Sequence, residues 1–448
     1  VLIPFGGGTN IAGCIEPKDR DGRFIVSLDM SRMHRVLEVD KKSLLARIEA
    51  GVYGPHMEEQ LEAEGVTLGH FPDSFVHSTL GGWVATRSAG MPSDKYGKIE
   101  DMVIALRMVT PSGTIVTRTV PNTSNGIDVR SLCVGSEGIL GVITEVTMQV
   151  HRVPEYKIFE GWLFPDFESG IKAIHECMRH GTMPVITRLN DPGKTALSAA
   201  FKKVESPLKQ KIGAAMKWYL RNIKGIDFTK CCMMTTAYEG DYDTFHMQRR
   251  ESNRIFRKHG GVNLGEGPGN SFKEAKYDFP HVRDYLMDRG VMGDVSETST
   301  TWENLHNLYT KTITNIQKAI RDTGVDPWVG CHISHNYHTG ASLYFTFGCR
   351  QIEGRELDQY LYIKKAAEDL GALPRMEREW HDVVVEFDAG ARRRERREPR
   401  RAVPRGEQGA PTVLTLIDPG AIAYLGACPG SKHEQPREHY STLQGSAA

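Results

Sequence analysis

The chain has 448 residues, and a prior of about 150 residues per domain points to two or three domains. Its 40% apolar and 25% charged residues, with 45 Gly and 22 Pro, are an ordinary globular balance. Lys plus Arg and Asp plus Glu are equal at 56, so the zero net charge argues against a main role on nucleic acid or an anionic surface. No run of about 18 uncharged apolar residues appears. The eight Cys show no CxxC spacing and read as reduced thiols of an intracellular chain, not as a disulfide framework or a zinc site.

Val1-Leu2-Ile3-Pro4 reads as the end of a strand already under way, as if the chain starts inside a domain. Further short β-type runs follow at 25–28, 35–39, 44–49, 102–109 and 115–120, bounded by Gly, Pro, Asp or Lys-rich turns. Residues 142–150 form the cleanest strand. Val142, Val146, Met148 and Val150 share one face, with Glu145, Thr147 and Gln149 on the other. One helix interrupts at 55–64. Past Pro154 the texture turns α+β: Asp166 can cap a helix carrying Phe167, Ile171, Ile174 and Met178. A strand at 232–238 precedes a helix at 243–259. Ser299 or Thr301 can start a long helix with Leu305, Leu308, Tyr309, Ile316 and Ile320 on one side and Gly324 past its end. Two strands, 331–337 and 343–347, flank a turn at His338-Thr339-Gly340, and 356–370 is a last amphipathic helix. The expected domains are 1–153, 154–373 and an Arg-rich tail at 374–448. Within that tail, 391–407 holds eight Arg and no Lys, a composition expected to stay disordered.

Pro4-Phe5-Gly6-Gly7-Gly8-Thr9-Asn10 directly follows the first strand. Three glycines in a row remove every Cβ, so main-chain N–H groups can close on a phosphate, with Thr9 and Asn10 adding side-chain bonds. The loop has neither the Lys-Ser/Thr ending of a Walker loop nor GxGxxG spacing. Pro72-Asp73-Ser74, Ser78-Thr79-Leu80-Gly81-Gly82-Trp83 and Thr86-Arg87-Ser88-Ala89-Gly90 are rich in small and hydroxyl residues, as if main chain lies against a flat ligand. Gly135-Ser136-Glu137-Gly138-Ile139-Leu140-Gly141 is a third glycine-dense turn, feeding Val142 and Ile143. A bulge accounts for one of its glycines, not for all three.

The order of these segments, with Tyr96-Gly97-Lys98-Ile99-Glu100-Asp101 between them, resembles the FAD-binding domain of vanillyl-alcohol-oxidase-type flavoproteins. In detail it resembles the alkyldihydroxyacetonephosphate (alkylglycerone-phosphate) synthase family over residues 1–373. The resemblance implies an α+β fold, with a two-part FAD-binding domain and an α+β cap domain built on an antiparallel sheet. It makes Pro4 to Asn10, Asp73, Ser74, Ser78, Thr79, Thr86 to Ala89, and Glu137, Gly138, Ile139, Leu140, Gly141, Val142 and Ile143 the FAD contacts. Arg188, in Thr187-Arg188-Leu189, matches an Arg that engages the substrate's carbonyl or carboxylate end; without the family it reads as a strand-edge salt-bridge residue. Arg283 matches a second Arg, suited to the substrate phosphate because a guanidinium offers a bidentate fork. Tyr337 matches the family's active-site Tyr, a general acid/base whose pKa is expected well below about 10.

The implied reaction replaces the acyl group of acyl-dihydroxyacetone phosphate by a long-chain fatty alcohol, with no net redox change and the flavin as covalent anchor. Family habit implies a homodimer, peripheral membrane contact and a peroxisomal or glycosomal location, with no metal. A family run of three histidines is expected after Leu370-Gly371-Ala372-Leu373, but Pro374-Arg375-Met376-Glu377 follows and no such run occurs. A reading-frame change near Leu373 accounts for this and for the Arg-rich tail. Such a chain is expected to bind FAD weakly and to have little activity. An FAD-dependent 2-hydroxy-acid dehydrogenase (lactate or glycolate type) and a non-catalytic remnant stand as alternatives.

Overall fold

The structure is a computed structural model that describes residues 1–11, 13–17, 22, 24–200, 207–277 and 285–368. The expected Arg-rich tail and Arg283 lie outside the described residues.

Strand Leu2–Phe5 pairs in parallel with Val26–Asp29. A five-stranded antiparallel sheet follows, in the order Val36–Asp40, Leu45–Glu49, Val142–Gln149, Val103–Thr110, Gly113–Val116. Its centre is the strand with the cleanest alternation. Val146, Met148 and the following Val150 are buried, as period-two patterning requires. Helix Gly54–Ala63 covers this sheet through Met57 and Leu61, and all of these side chains join one hydrophobic core with Ile48, Trp83 and Ile99.

The chain then builds a seven-stranded antiparallel sheet, in the order Val262–Gly265, Tyr156–Phe164, Cys232–Gly240, Ile186–Asn190, Trp328–Asn336, Gly340–Arg350, Val291–Thr301. Its two faces have different partners. Phe159, Ile186 and Ala237 join the first core, whereas Trp162, Leu189 and Met234 belong to a second core. Helices Phe167–His180, Tyr242–Lys258 and Leu305–Asp322 complete that second core. Alternation along each strand sends neighbouring side chains to opposite faces, so Arg188 shares the face of Ile186 and looks toward the first core.

Several helix ends follow their sequence signals. Asp166 accepts the Ser169 N–H at 2.7 Å, and Gly181 closes that helix at φ +64°. The 243–259 helix begins earlier, at Tyr242, because Asp241 caps it by accepting the Thr244 N–H at 2.8 Å. The long helix does not start at Ser299 or Thr301. Both lie in strand Val291–Thr301, which pairs residue for residue with Gly340–Arg350, and the helix runs Leu305–Asp322. The hydroxyl run that reads as a cap is the polar pattern of an edge strand.

Candidate FAD site and the sheet face beside it

The glycine loop is seated on the turn at 77–79. A Cβ on Gly6 would stand 2.3 Å from Thr79 Oγ1, and one on Gly7 1.6 Å from the His77 carbonyl oxygen. Gly8 has φ +69°, a conformation that costs glycine little and other residues more. Tyr53 donates its hydroxyl to the Gly6 carbonyl at 3.3 Å. Among the described residues the N–H groups of Gly6, Gly7 and Gly8 have no acceptor. Three adjacent unspent donors without side chains suit the diphosphate of a dinucleotide.

The other segments close around this loop. A Cβ on Gly138 would lie 3.6 Å from Pro4 Cδ, so the turn at 135–141 borders the end of the first strand. Cys14 donates its thiol to Glu137 Oε2 at 2.6 Å, and Asn10 Oδ1 accepts the Cys14 N–H at 3.1 Å. Gly135 and Glu137 donate their N–H groups to the carbonyls of Val84 and Ala85, each at 2.9 Å, which lays the turn along helix Leu80–Ala85 and the Thr86–Ala89 segment. Arg87 and Glu137 hold φ of +52° and +49°, left-handed conformations that cost a non-glycine residue energy. The Ser136 hydroxyl is buried with no partner among the described residues.

Not every expected contact is free to meet a ligand. The Ser78 hydroxyl is committed to the fold: it accepts the Trp83 indole N–H at 2.7 Å and donates to the Ser74 carbonyl at 2.8 Å. Thr86 donates its hydroxyl to the Gly82 carbonyl at 2.9 Å. The Ile143 side chain packs in the first core, so at that position only main chain can serve a ligand. Asp73, Thr9, Arg87 and Ile139 are exposed, and Ser88 and Ala89 half-buried.

The seven-stranded sheet brings its charged face to the same place. Arg188 Nη1 lies 3.9 Å from Asp73 Oδ1, and its guanidinium carbon 5.7 Å from the Phe272 ring. Arg188 does bridge a carboxylate, but from an interior strand and not from an edge. The neighbouring strand Trp328–Asn336, in register through Leu189 with Ile333, leads to Tyr337. Lys98 Nζ stands 6.0 Å from the Tyr337 ring. The expected lowering of the Tyr337 pKa is not found: burial, then the charges of Glu297 and Glu100, push the hydroxyl up to about 12. Tyr337 therefore holds its proton at neutral pH.

Two family models match the chain: an FAD binding domain over residues 1–119 and the C-terminal domain of FAD linked oxidases over residues 153–371. A solved structure of alkyldihydroxyacetonephosphate synthase superposes with a TM-score of 0.74 at 40% identity, covering 86% of this chain and 70% of that one. The chain belongs to the alkyldihydroxyacetonephosphate synthase family. The synthase of Dictyostelium discoideum is 41% identical over 83% of this chain, and that of Trypanosoma brucei brucei 39% identical over 82%. The chain spans 60% of the length of each of these curated relatives. The cofactor of the family's fold is FAD, and the Cβ-free loop with its unspent N–H groups fits it.

On this synthase fold, three residues beyond those expected line the region. His70 is fully buried, its ring 5.0 Å from that of Trp83 and its Nε2 3.2 Å from Ser88 Oγ. Lys194 and His332 are buried together, Nζ to Nδ1 at 2.5 Å, with the Lys194 ammonium 5.1 Å from the Tyr344 ring. Burial, then the Arg188 charge, lowers Lys194 to about 7 and holds His332 well below its ordinary value. In the sequence, His332 is one of several histidines in a strand and Lys194 a lone lysine in a helix. Only strand pairing of Asn190 with His332 brings them together.

Proposed function

We propose that this chain carries the catalytic core of an alkylglycerone-phosphate synthase. It would exchange the acyl group of acyl-dihydroxyacetone phosphate for a long-chain fatty alcohol, at the low activity expected of a chain without the family's run of three histidines. The observation that carries the reading is the approach of Arg188, on the seven-stranded sheet, to Asp73, in the turn assigned to the cofactor. FAD, when bound, supplies a ring that holds the substrate carbon through the exchange without net oxidation or reduction. Gly6, Gly7 and Gly8 would hold the diphosphate, with the turn at 135–141 and the Thr86–Ala89 segment along the rest of the cofactor. Arg188 offers two parallel N–H groups to a substrate oxygen, neutralising charge as the carboxylate leaves. Tyr337, protonated at neutral pH, would serve as the general acid/base, passing on its hydroxyl proton as the incoming alcohol gives up its own. Arg283 takes the phosphate in this reading.

The same reading includes a homodimer, a peroxisomal or glycosomal location and peripheral contact with a membrane, from which long-chain substrates would be drawn. For the membrane contact, the end of helix Pro207–Asn222 is suggestive. Met216, Trp218 and Ile223 are exposed there among Lys217, Arg221 and Lys224, a pairing of apolar and cationic side chains suited to an anionic bilayer surface.

The test is anaerobic incubation of the FAD-loaded chain with each substrate set. Acyl-dihydroxyacetone phosphate plus hexadecanol should give an ether product with the flavin spectrum still oxidised at the end. Bleaching of the flavin by D-lactate, with no ether formed, would replace the reading by a 2-hydroxy-acid dehydrogenase.

A further inference from the structure

The four-residue helix Ser93–Tyr96 belongs to the first half of the chain, yet all four of its side chains reach the seven-stranded sheet. Two of them work on strand Cys232–Gly240: Lys95 Nζ donates to the Glu239 carbonyl at 3.1 Å, and the Tyr96 hydroxyl to Glu239 Oε1 at 2.6 Å. The other two work on the strand that ends at Tyr337. Ser93 Oγ lies 2.7 Å from His335 Nδ1. The Asp94 carboxylate accepts the Asn336 main-chain N–H at 3.1 Å and the Asn336 side-chain NH2 at 3.0 and 3.2 Å.

The place of that last contact is what gives it a role. Trp328–Asn336 is bonded on one side to Gly340–Arg350, with a register shift between Ile333 and His335. On its other side the pairing with Ile186–Asn190 covers only Ile333 and His332. The outward N–H of Asn336 therefore has no strand to receive it, and a main-chain donor left bare in a protein interior is costly. Asp94 stands where the missing strand would be. Beyond it, Tyr337 is held by its own hairpin, donating its N–H to the Gly340 carbonyl at 2.8 Å.

We propose that Asp94 is a positioning residue for Tyr337: from the cofactor-binding half it fixes the main chain one residue before the tyrosine, and so fixes where the hydroxyl stands. This rests on the assignment of Tyr337 as the acid under the proposed function. A carboxylate suits the task because both Asn336 atoms it faces, the main-chain N and the side-chain Nδ2, are donors. An asparagine there could accept the main-chain N–H but would set its own NH2 against that of Asn336. The variants should therefore be graded, alanine worse than asparagine.

The experiment uses the FAD-loaded chain and its Asp94→Ala, Asp94→Asn and Tyr96→Phe variants, each also in a Tyr337→Phe background. Asp94→Ala should lower kcat about thirtyfold, the scale at which small misplacement of a reacting group acts, with KM within about twofold. Asp94→Asn should lose less, and Tyr96→Phe, which cuts the same helix's other anchor, should keep the parental kcat. In the Tyr337→Phe background Asp94→Ala should cost less than about twofold more, because the two residues act as one unit. Independently of turnover, hydrogen exchange of the peptide spanning 334–338 should quicken about tenfold in Asp94→Ala. Multiplicative losses in the double variant, a matching kcat loss in Tyr96→Phe, or unchanged exchange would each overturn the role of Asp94 while leaving Tyr337 in place. A parental rate for Tyr337→Phe alone would remove the tyrosine from the chemistry, and the proposal with it.

Discussion

The two faces that meet at Asp73 and Arg188 are built in opposite ways. On the side assigned to the cofactor the surface is main chain: Gly6 to Gly8 carry N–H groups without an acceptor among the described residues and no side chains. On the sheet side it is side chain: Arg188, Lys194, His332 and Tyr337 project from two strands, a helix and a hairpin turn, and burial moves the proton affinities of Lys194, His332 and Tyr337. A main-chain surface tolerates almost no added atom but is indifferent to pH. A side-chain surface tolerates isosteric change in volume yet depends on each functional group. Substitutions on the two sides should therefore fail differently.

The largest effect is expected at the loop. Gly7→Ala puts a methyl group 1.6 Å from the His77 oxygen, so loop and turn must separate. FAD affinity should fall about a hundredfold, ~2.7 kcal/mol, read by quenching of flavin fluorescence on titration. An affinity within about twofold of the parent would show that the loop does not seat the diphosphate.

Tyr337→Phe should do the reverse, leaving FAD affinity unchanged while turnover drops about a hundredfold, the low end of what a positioned acid contributes. A loss of FAD binding instead would merge the two faces into one and undo the contrast.

The contrast also explains what the sequence reveals. Glycine runs and hydroxyl turns are local, so the segments stand out in the sequence, whereas the approach of Gly138 to Pro4, 134 positions apart, is seen only in the fold. The strand at 142–149 and the cap at Asp166 are legible for the same reason, since period and capping are short-range signals. Arg188 and Tyr337 needed a family resemblance to be picked out. The Lys194–His332 pair was invisible because neither residue has a local signature and only sheet register joins them. The end of strand Val291–Thr301 reads as a helix start because an edge strand rich in Ser and Thr imitates one. The rise in the Tyr337 pKa has no local signature, because burial and the charges of Glu297 and Glu100, which set it, are tertiary properties.

A smaller effect tests whether the first core is as indifferent to charge as its cradle. Glu58 is buried there, accepting the Thr67 hydroxyl at 2.7 Å and the Leu68 N–H at 3.1 Å, and burial raises its pKa to about 7. The carboxyl is harder to ionise folded than unfolded. Its contribution to stability is therefore complete below pH ~4.5 and is lost as pH rises through about 7. Glu58→Gln keeps an oxygen for Leu68 and removes the titration. It should raise the melting temperature by a few degrees at pH 8, on the order of 2 kcal/mol, and change it little at pH 4.5. Equal shifts at both pH values would mean that Glu58 is not the titrating group.

The central claim is that one ligand, FAD, touches all the glycine and hydroxyl segments at once. Hydrogen exchange of the chain with and without saturating FAD tests it most directly. Slowed exchange in 4–10, 73–79, 86–89 and 137–143 together, with helix Leu305–Asp322 unaffected, is the predicted result. Protection confined to one of those segments, or appearing only in the seven-stranded sheet, would contradict it.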